Sequence, residues 1–106
     1  MNSLLVKHKD EIARLCEKYG VAKLEVFSLL DSAEFDLARD EFEFIADLRE
    51  GGDIFLRYTD FALALEDLLG NKVVLVDETR LKPRFLTAIA ESREVVFASA
   101  DRTIAA

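Results

Sequence analysis

Residues 40–46, Asp-Glu-Phe-Glu-Phe-Ile-Ala, alternate acidic and aromatic side chains before running into an apolar pair. Period two belongs to a β-strand, because successive side chains leave a pleated backbone on opposite faces. A helix would scatter the same residues around its circumference. A strand built this way forces the rest of the chain to supply an apolar layer for Phe42 and Phe44. Glu41 and Glu43 are left together on the other face, where the simplest role for them is that of a half-buried strand's solvated side.

The segments on either side supply that layer. Leu4, Leu5, Ile12, Leu15, Cys16 and Tyr19 fall on one helical stripe, with most of the charged residues opposite. Asn2 or Ser3 can cap the start of this helix. Gly20 stands at its end, where a left-handed residue is wanted. Cys16 lies within the stripe and is therefore a core residue, and His8 flanks it. Residues 23–29 read as a strand, and 31–39 as a polar connection. After the Gly51-Gly52 break, Asp53 caps a helix in which Ile54, Tyr58, Phe61, Leu65 and Leu68 step by four, three, four and three. Gly70 closes it. Residues 72–76, Lys-Val-Val-Leu-Val, form a short buried strand. Pro83 opens a further helix that turns Phe85, Leu86, Ile89 and Ala90 inward. Residues 94–97 form a last strand, and the tail from 100 to 106 has little to bury and frays.

Helices and strands alternating in this way predict an α/β (α+β) fold, a small mixed sheet of about four strands with helices packed on it. One domain over residues 1–99 accounts for the whole pattern. The 106 residues are 51% hydrophobic with four Gly and one Pro, which suits an ordered globule. A single Cys excludes an internal disulfide. Neither an apolar leader nor a membrane span is legible, so the expected location is the cytoplasm. Fourteen basic against 21 acidic residues give a net charge of −7. That balance repels nucleic-acid backbones and points instead to solubility or to a basic protein partner. One His and one Cys make no zinc cluster, and no Gly-rich loop with Lys-Ser/Thr occurs.

The order of pieces over residues 11–98 resembles the minimal nucleotidyltransferases, small relatives of the polymerase-beta-like catalytic core. Leu15 and Tyr19-Gly20-Val21 end the first helix as in that family, and Leu24-Glu25-Val26-Phe27 enters the first strand. Phe35-Asp36, Arg39 and the strand from Glu41 to Phe44 follow at the family's spacing. Leu68-Leu69-Gly70-Asn71-Lys72-Val73 then leads into the third strand.

The resemblance implies a site, and the residues present there differ from the family's. A Gly-Ser pair beneath the nucleotide phosphates corresponds to Ser28 and Leu29. Glycine lets a backbone approach phosphate oxygens and serine adds a donor; Leu29 offers neither. Asp31 stands near where an arginine is usual. The family's Asp-x-Asp places two carboxylates on one face, about 6.5–7 Å apart, to hold Mg²⁺. Glu41 and Glu43 take those positions with an extra methylene each. The third aspartate corresponds to Val74, which can neither bind a metal nor accept a proton.

The resemblance therefore implies a non-catalytic binding or regulatory protein with a degenerate site and no cofactor. Its expected role is that of an antitoxin-type partner of a small helical HEPN-like protein, with Leu29 and Leu30 filling the former cleft or presenting a contact. The alternative is an active Mg-dependent nucleotidyltransferase using Glu41 and Glu43, with Asp47 or Asp77 completing the metal site. Asp47 suits that poorly, lying some 13 Å along the strand from Glu43. A self-associating regulatory subunit is the third reading.

Overall fold

The structure, a computed structural model, describes residues 3–27 and 42–99. The elements run α1 (Ser3–Lys7), α2 (Lys9–Tyr19), β1 (Val21–Phe27), β2 (Phe42–Leu48), α3 (Ile54–Leu69), β3 (Val73–Val76), a 3₁₀ turn (Glu78–Arg80), α4 (Pro83–Ile89) and β4 (Glu94–Ala98). The expected succession of helices and strands is present, with three differences. The first helix is kinked at His8, whose backbone (φ −102°, ψ 17°) leaves the helical region. Hydrogen bonds bridge the kink, from His8 N–H to Leu4 and from Ile12 N–H to the His8 carbonyl. The buried stripe of Leu5, Ile12 and Cys16 therefore continues across it.

The strand boundaries also shift. β1 starts at Val21, two residues before the expected start, and β2 runs on to Leu48 rather than ending at Ala46. The two extensions share one cause. Gly20 (φ 71°) turns the chain straight out of α2, so Val21 already pairs with Leu48 and Lys23 with Asp47. The 3₁₀ turn is the third difference. Asp77 accepts hydrogen bonds from the Thr79 N–H and hydroxyl, which fixes a local turn. The expected frayed tail at 100–106 lies outside the described residues.

The four strands form one mixed sheet in the order β3-β2-β1-β4. β1 is antiparallel to both β2 and β4, and β2 is parallel to β3 across the α3 connection. On one face Phe42, Phe44, Ala46 and Leu24 pack against Ile12 and Cys16 of α2 and Phe61 and Leu65 of α3. Complete burial of a side chain such as Phe44 contributes roughly 1.5–3 kcal/mol. The other face carries a smaller cluster of Phe27, Ile45 and Ile89, covered by Phe85 and Leu86 of α4. Among the described residues no helix is long and apolar enough to cross a membrane.

α3 is held at its start by Asp53, whose carboxylate accepts from the Leu56 N–H, and is closed by Gly70 (φ 74°). Arg57 clamps this end to its surroundings by donating to the carbonyls of Tyr19, Arg49 and Gly51. It also closes over Gly20, where a Cβ would stand 2.6 Å from the Arg57 Nη1.

Candidate functional site

The second sheet face is the candidate site, because the β2 alternation sends Glu43 there while Phe42 and Phe44 enter the main core. The register is explicit. Glu43 is the cross-strand partner of Phe27 on β1 and of Val74 on β3. Residues opposite one another share a sheet face, so one rung reads Val74, Glu43, Phe27. The next reads Val76, Ile45, Glu25. Glu43 and Val74 are both half-buried. Across the ladder from Glu43, β3 thus presents the isopropyl group of Val74.

Two other candidates are placed away from this rung. Asp77 follows the C-terminal end of β3 and spends its carboxylate capping the 3₁₀ turn. Asp47 lies four residues along β2, opposite Lys23. Both raise the Tyr58 phenol pKa, secondary to the burial that dominates it, and the Tyr58 hydroxyl donates to the Ala46 carbonyl at 2.9 Å. Among the described residues no group of three His, Cys, Asp or Glu side chains is arranged to hold a metal ion. Of the Glu41–Glu43 pair that the family resemblance implies for Mg²⁺, Glu43 is the member among the described residues. Ser28, Leu29, Leu30, Asp31 and Glu41 lie outside the described residues.

The charged centre of this face is one that sequence reading missed. Glu25 is 7% exposed and receives two hydrogen bonds from Arg93, at 3.0 Å from Nε and 2.6 Å from Nη2. The Arg93 Nη2 also reaches Glu78 of the 3₁₀ turn at 2.5 Å, and Lys23 lies 3.6 Å from Glu25. Hydrogen bonding from Arg93 holds the Glu25 carboxyl below its ordinary range against the opposing effect of burial, with Arg93 and Lys23 charges adding to the depression. The Arg93 guanidinium is shifted upward by the same contacts. A fork-to-carboxylate pair of this kind is strong and directional. It binds β1, the turn after β3 and the entry to β4 into one corner. The only hint in the sequence is a charged residue at an inward strand position, and its partner is 68 residues away.

Cys16 and His8 behave as expected of structural residues. Burial, aided by Glu17, pushes the Cys16 thiol up to about 12, far from a nucleophilic thiolate. Among the described residues His8 contacts its neighbour Glu11, 3.2 Å away.

No protein-family model matches the sequence, and no curated protein does either. Solved structures do. A minimal nucleotidyltransferase matches with a TM-score of 0.68 and 24% identity, over 85% of this chain and 90% of its own. A chain of the toxin–antitoxin MntA–HepT matches with a TM-score of 0.60 and 12% identity, over 92% of this chain and 75% of that one. The complex of a tri-AMPylated HEPN toxin from Shewanella oneidensis with its MNT antitoxin matches with a TM-score of 0.61 and 11% identity, over 95% and 78%. The element order, the mixed four-stranded sheet and these structural likenesses together give this chain the fold of the minimal nucleotidyltransferases.

Proposed function

We propose that the chain is a non-catalytic binding protein on a minimal-nucleotidyltransferase fold, acting as the antitoxin-type partner of a small helical HEPN-like protein. The observation that carries the non-catalytic half is the rung Val74–Glu43–Phe27, in which one carboxylate stands between two hydrocarbon side chains. Phosphoryl-transfer chemistry on this fold needs carboxylates converging on divalent ions that neutralise the triphosphate. A glutamate flanked across both ladders by phenylalanine and valine has no second carboxylate on its rung to help hold such ions. The partner half is supported by the solved neighbours that are MNT antitoxins in complexes with HEPN toxins, and by the −7 charge, which suits a basic protein surface.

A catalytic reading is favoured by one observation, the retained carboxylate of Glu43 on the site face. Under it Glu41 and Glu43 hold Mg²⁺ and the chain transfers AMP to its partner. The native protein, purified with whatever helical protein accompanies it and incubated with ATP and Mg²⁺, separates the two by intact mass. The binding-protein reading predicts a stable complex whose partner keeps its mass. A partner gaining AMP in a Glu43-dependent manner would establish the catalytic reading, and the absence of any helical partner would remove the antitoxin reading.

A further inference from the structure

α3 is apolar on two sides. Its inner side, through Tyr58, Phe61, Leu65 and Leu69, packs on the sheet. A helix on a protein surface normally opposes such a stripe with charge. α3 instead exposes Phe55 at 77%, Leu56 at 55% and Leu63 at 55%, with Ile54 beside them. Leu56, Asp60, Leu63 and Asp67 are all exposed and are spaced by four, three and four, so they lie along one face. That face is about 16 Å long, three turns of helix.

The charges on it have one sign. The single basic residue of α3, Arg57, is turned away onto the carbonyls of Tyr19, Arg49 and Gly51. Two leucines alternating with two aspartates, with Phe55 at the end, therefore form a surface both apolar and anionic. Building on the antitoxin-type reading above, we propose that this outer face of α3 is the docking surface, and that its occupant is an amphipathic helix of the partner carrying apolar residues at helical spacing flanked by Lys or Arg.

The charge pattern selects that occupant over the others. A symmetric pairing with a second copy would bring together two faces that each carry Asp60 and Asp67 and no basic side chain of α3, because a two-fold contact uses the same patch twice. Anionic lipid is repelled for the same reason. A helix is the natural shape because leucines seven residues apart repeat along a line that a second helix can follow.

The test uses designed 18-residue helical peptides with leucines at three- and four-residue spacing, flanked by Lys in one and by Glu in its twin, titrated into the labelled full chain and followed by amide NMR. The Lys peptide is expected to bind saturably, with perturbations confined to the outer face of α3. Its affinity falls at least tenfold in Leu56→Ser/Leu63→Ser. In Asp60→Lys/Asp67→Lys the preference inverts, and the Glu peptide binds. Retained amide dispersion in both variants, expected for exposed positions, shows that they fold.

Perturbations centred elsewhere, equal binding of both peptides, or no effect of the charge swap would overturn the proposal. So would a wild-type dimer in light scattering that Leu56→Ser/Leu63→Ser returns to monomer, or a tenfold gain in affinity on deleting residues 100–106, since a second copy or the chain's own end would then be the occupant. If the native helical partner still co-elutes while the peptides map elsewhere, only this surface assignment fails. If no helical partner co-elutes, the reading beneath it fails.

Discussion

Glu43 and Val74 stand opposite one another on the parallel strands β2 and β3, on the sheet face away from the main core. Adjacent strands are about 4.8 Å apart, close enough for two carboxylates to share one divalent ion. Valine at the second position puts a hydrocarbon side chain across the ladder from Glu43, and this pairing carries the functional account.

Val74→Asp should therefore create what the wild type lacks. Two like charges on one rung repel and lower stability by about 1–2 kcal/mol in the absence of metal. Millimolar Mg²⁺ should recover much of that loss by bridging the pair, seen as a rise in melting temperature for the variant and little change for the wild type. An Mg²⁺-independent melting temperature in Val74→Asp would show that the two positions do not converge.

The Glu25–Arg93 pair should add to the acid sensitivity of the fold. The folded pKa of Glu25 lies below its ordinary value of 4.5, so the stability it contributes is present above that value. It is lost as pH falls from about 4.5 through the folded pKa. Glu25→Gln should flatten the decline in stability across that window. Arg93→Met at neutral pH should be much worse, costing roughly 3 kcal/mol by leaving the carboxylate buried and largely unpaired, with only the more distant Lys23 to compensate. Urea titrations from pH 3 to 7 read both effects. Equal costs for the two variants would contradict the assigned geometry.

Two helix-terminating glycines should respond unequally to alanine. Gly20 and Gly70 both have positive φ, 71° and 74°. A Cβ at Gly70 meets nothing within 4 Å, whereas at Gly20 it would meet Arg57 at 2.6 Å. Gly70→Ala should cost about 1 kcal/mol from backbone strain. Gly20→Ala should cost about 1 kcal/mol more, because it also displaces the guanidinium that ties α3 to three carbonyls. Equilibrium unfolding of both variants checks the order.

Much of this architecture was legible from local pattern. The alternation around Phe42 and Phe44, the stripe of Ile12 and Cys16, Asp53 before α3 and the glycines after α2 and α3 each act over a few residues. What escaped depends on pairing between distant segments. β1 and β2 lengthen because Val21 meets Leu48, and Glu25 is buried because Arg93 lies beside it after a whole circuit of the sheet. The kink at His8 had no local sign, since the residue sits within a good helical pattern. Of the site, the matching of Glu43 with Val74 follows from strand register, but Ser28, Leu29 and Glu41 fall outside the described residues. The acidic, leucine-bearing face of α3 is masked in the sequence by the longer buried stripe of the same helix, although Leu56, Asp60, Leu63 and Asp67 carry the same helical spacing.

The most direct test of the central claim is a calorimetric titration of the purified chain with ATP in the presence and absence of Mg²⁺. Glu43 facing Val74 across the ladder predicts no metal-dependent binding at micromolar nucleotide, and no difference between the wild type and Glu43→Gln. Micromolar ATP binding that requires Mg²⁺ and disappears in Glu43→Gln would contradict it.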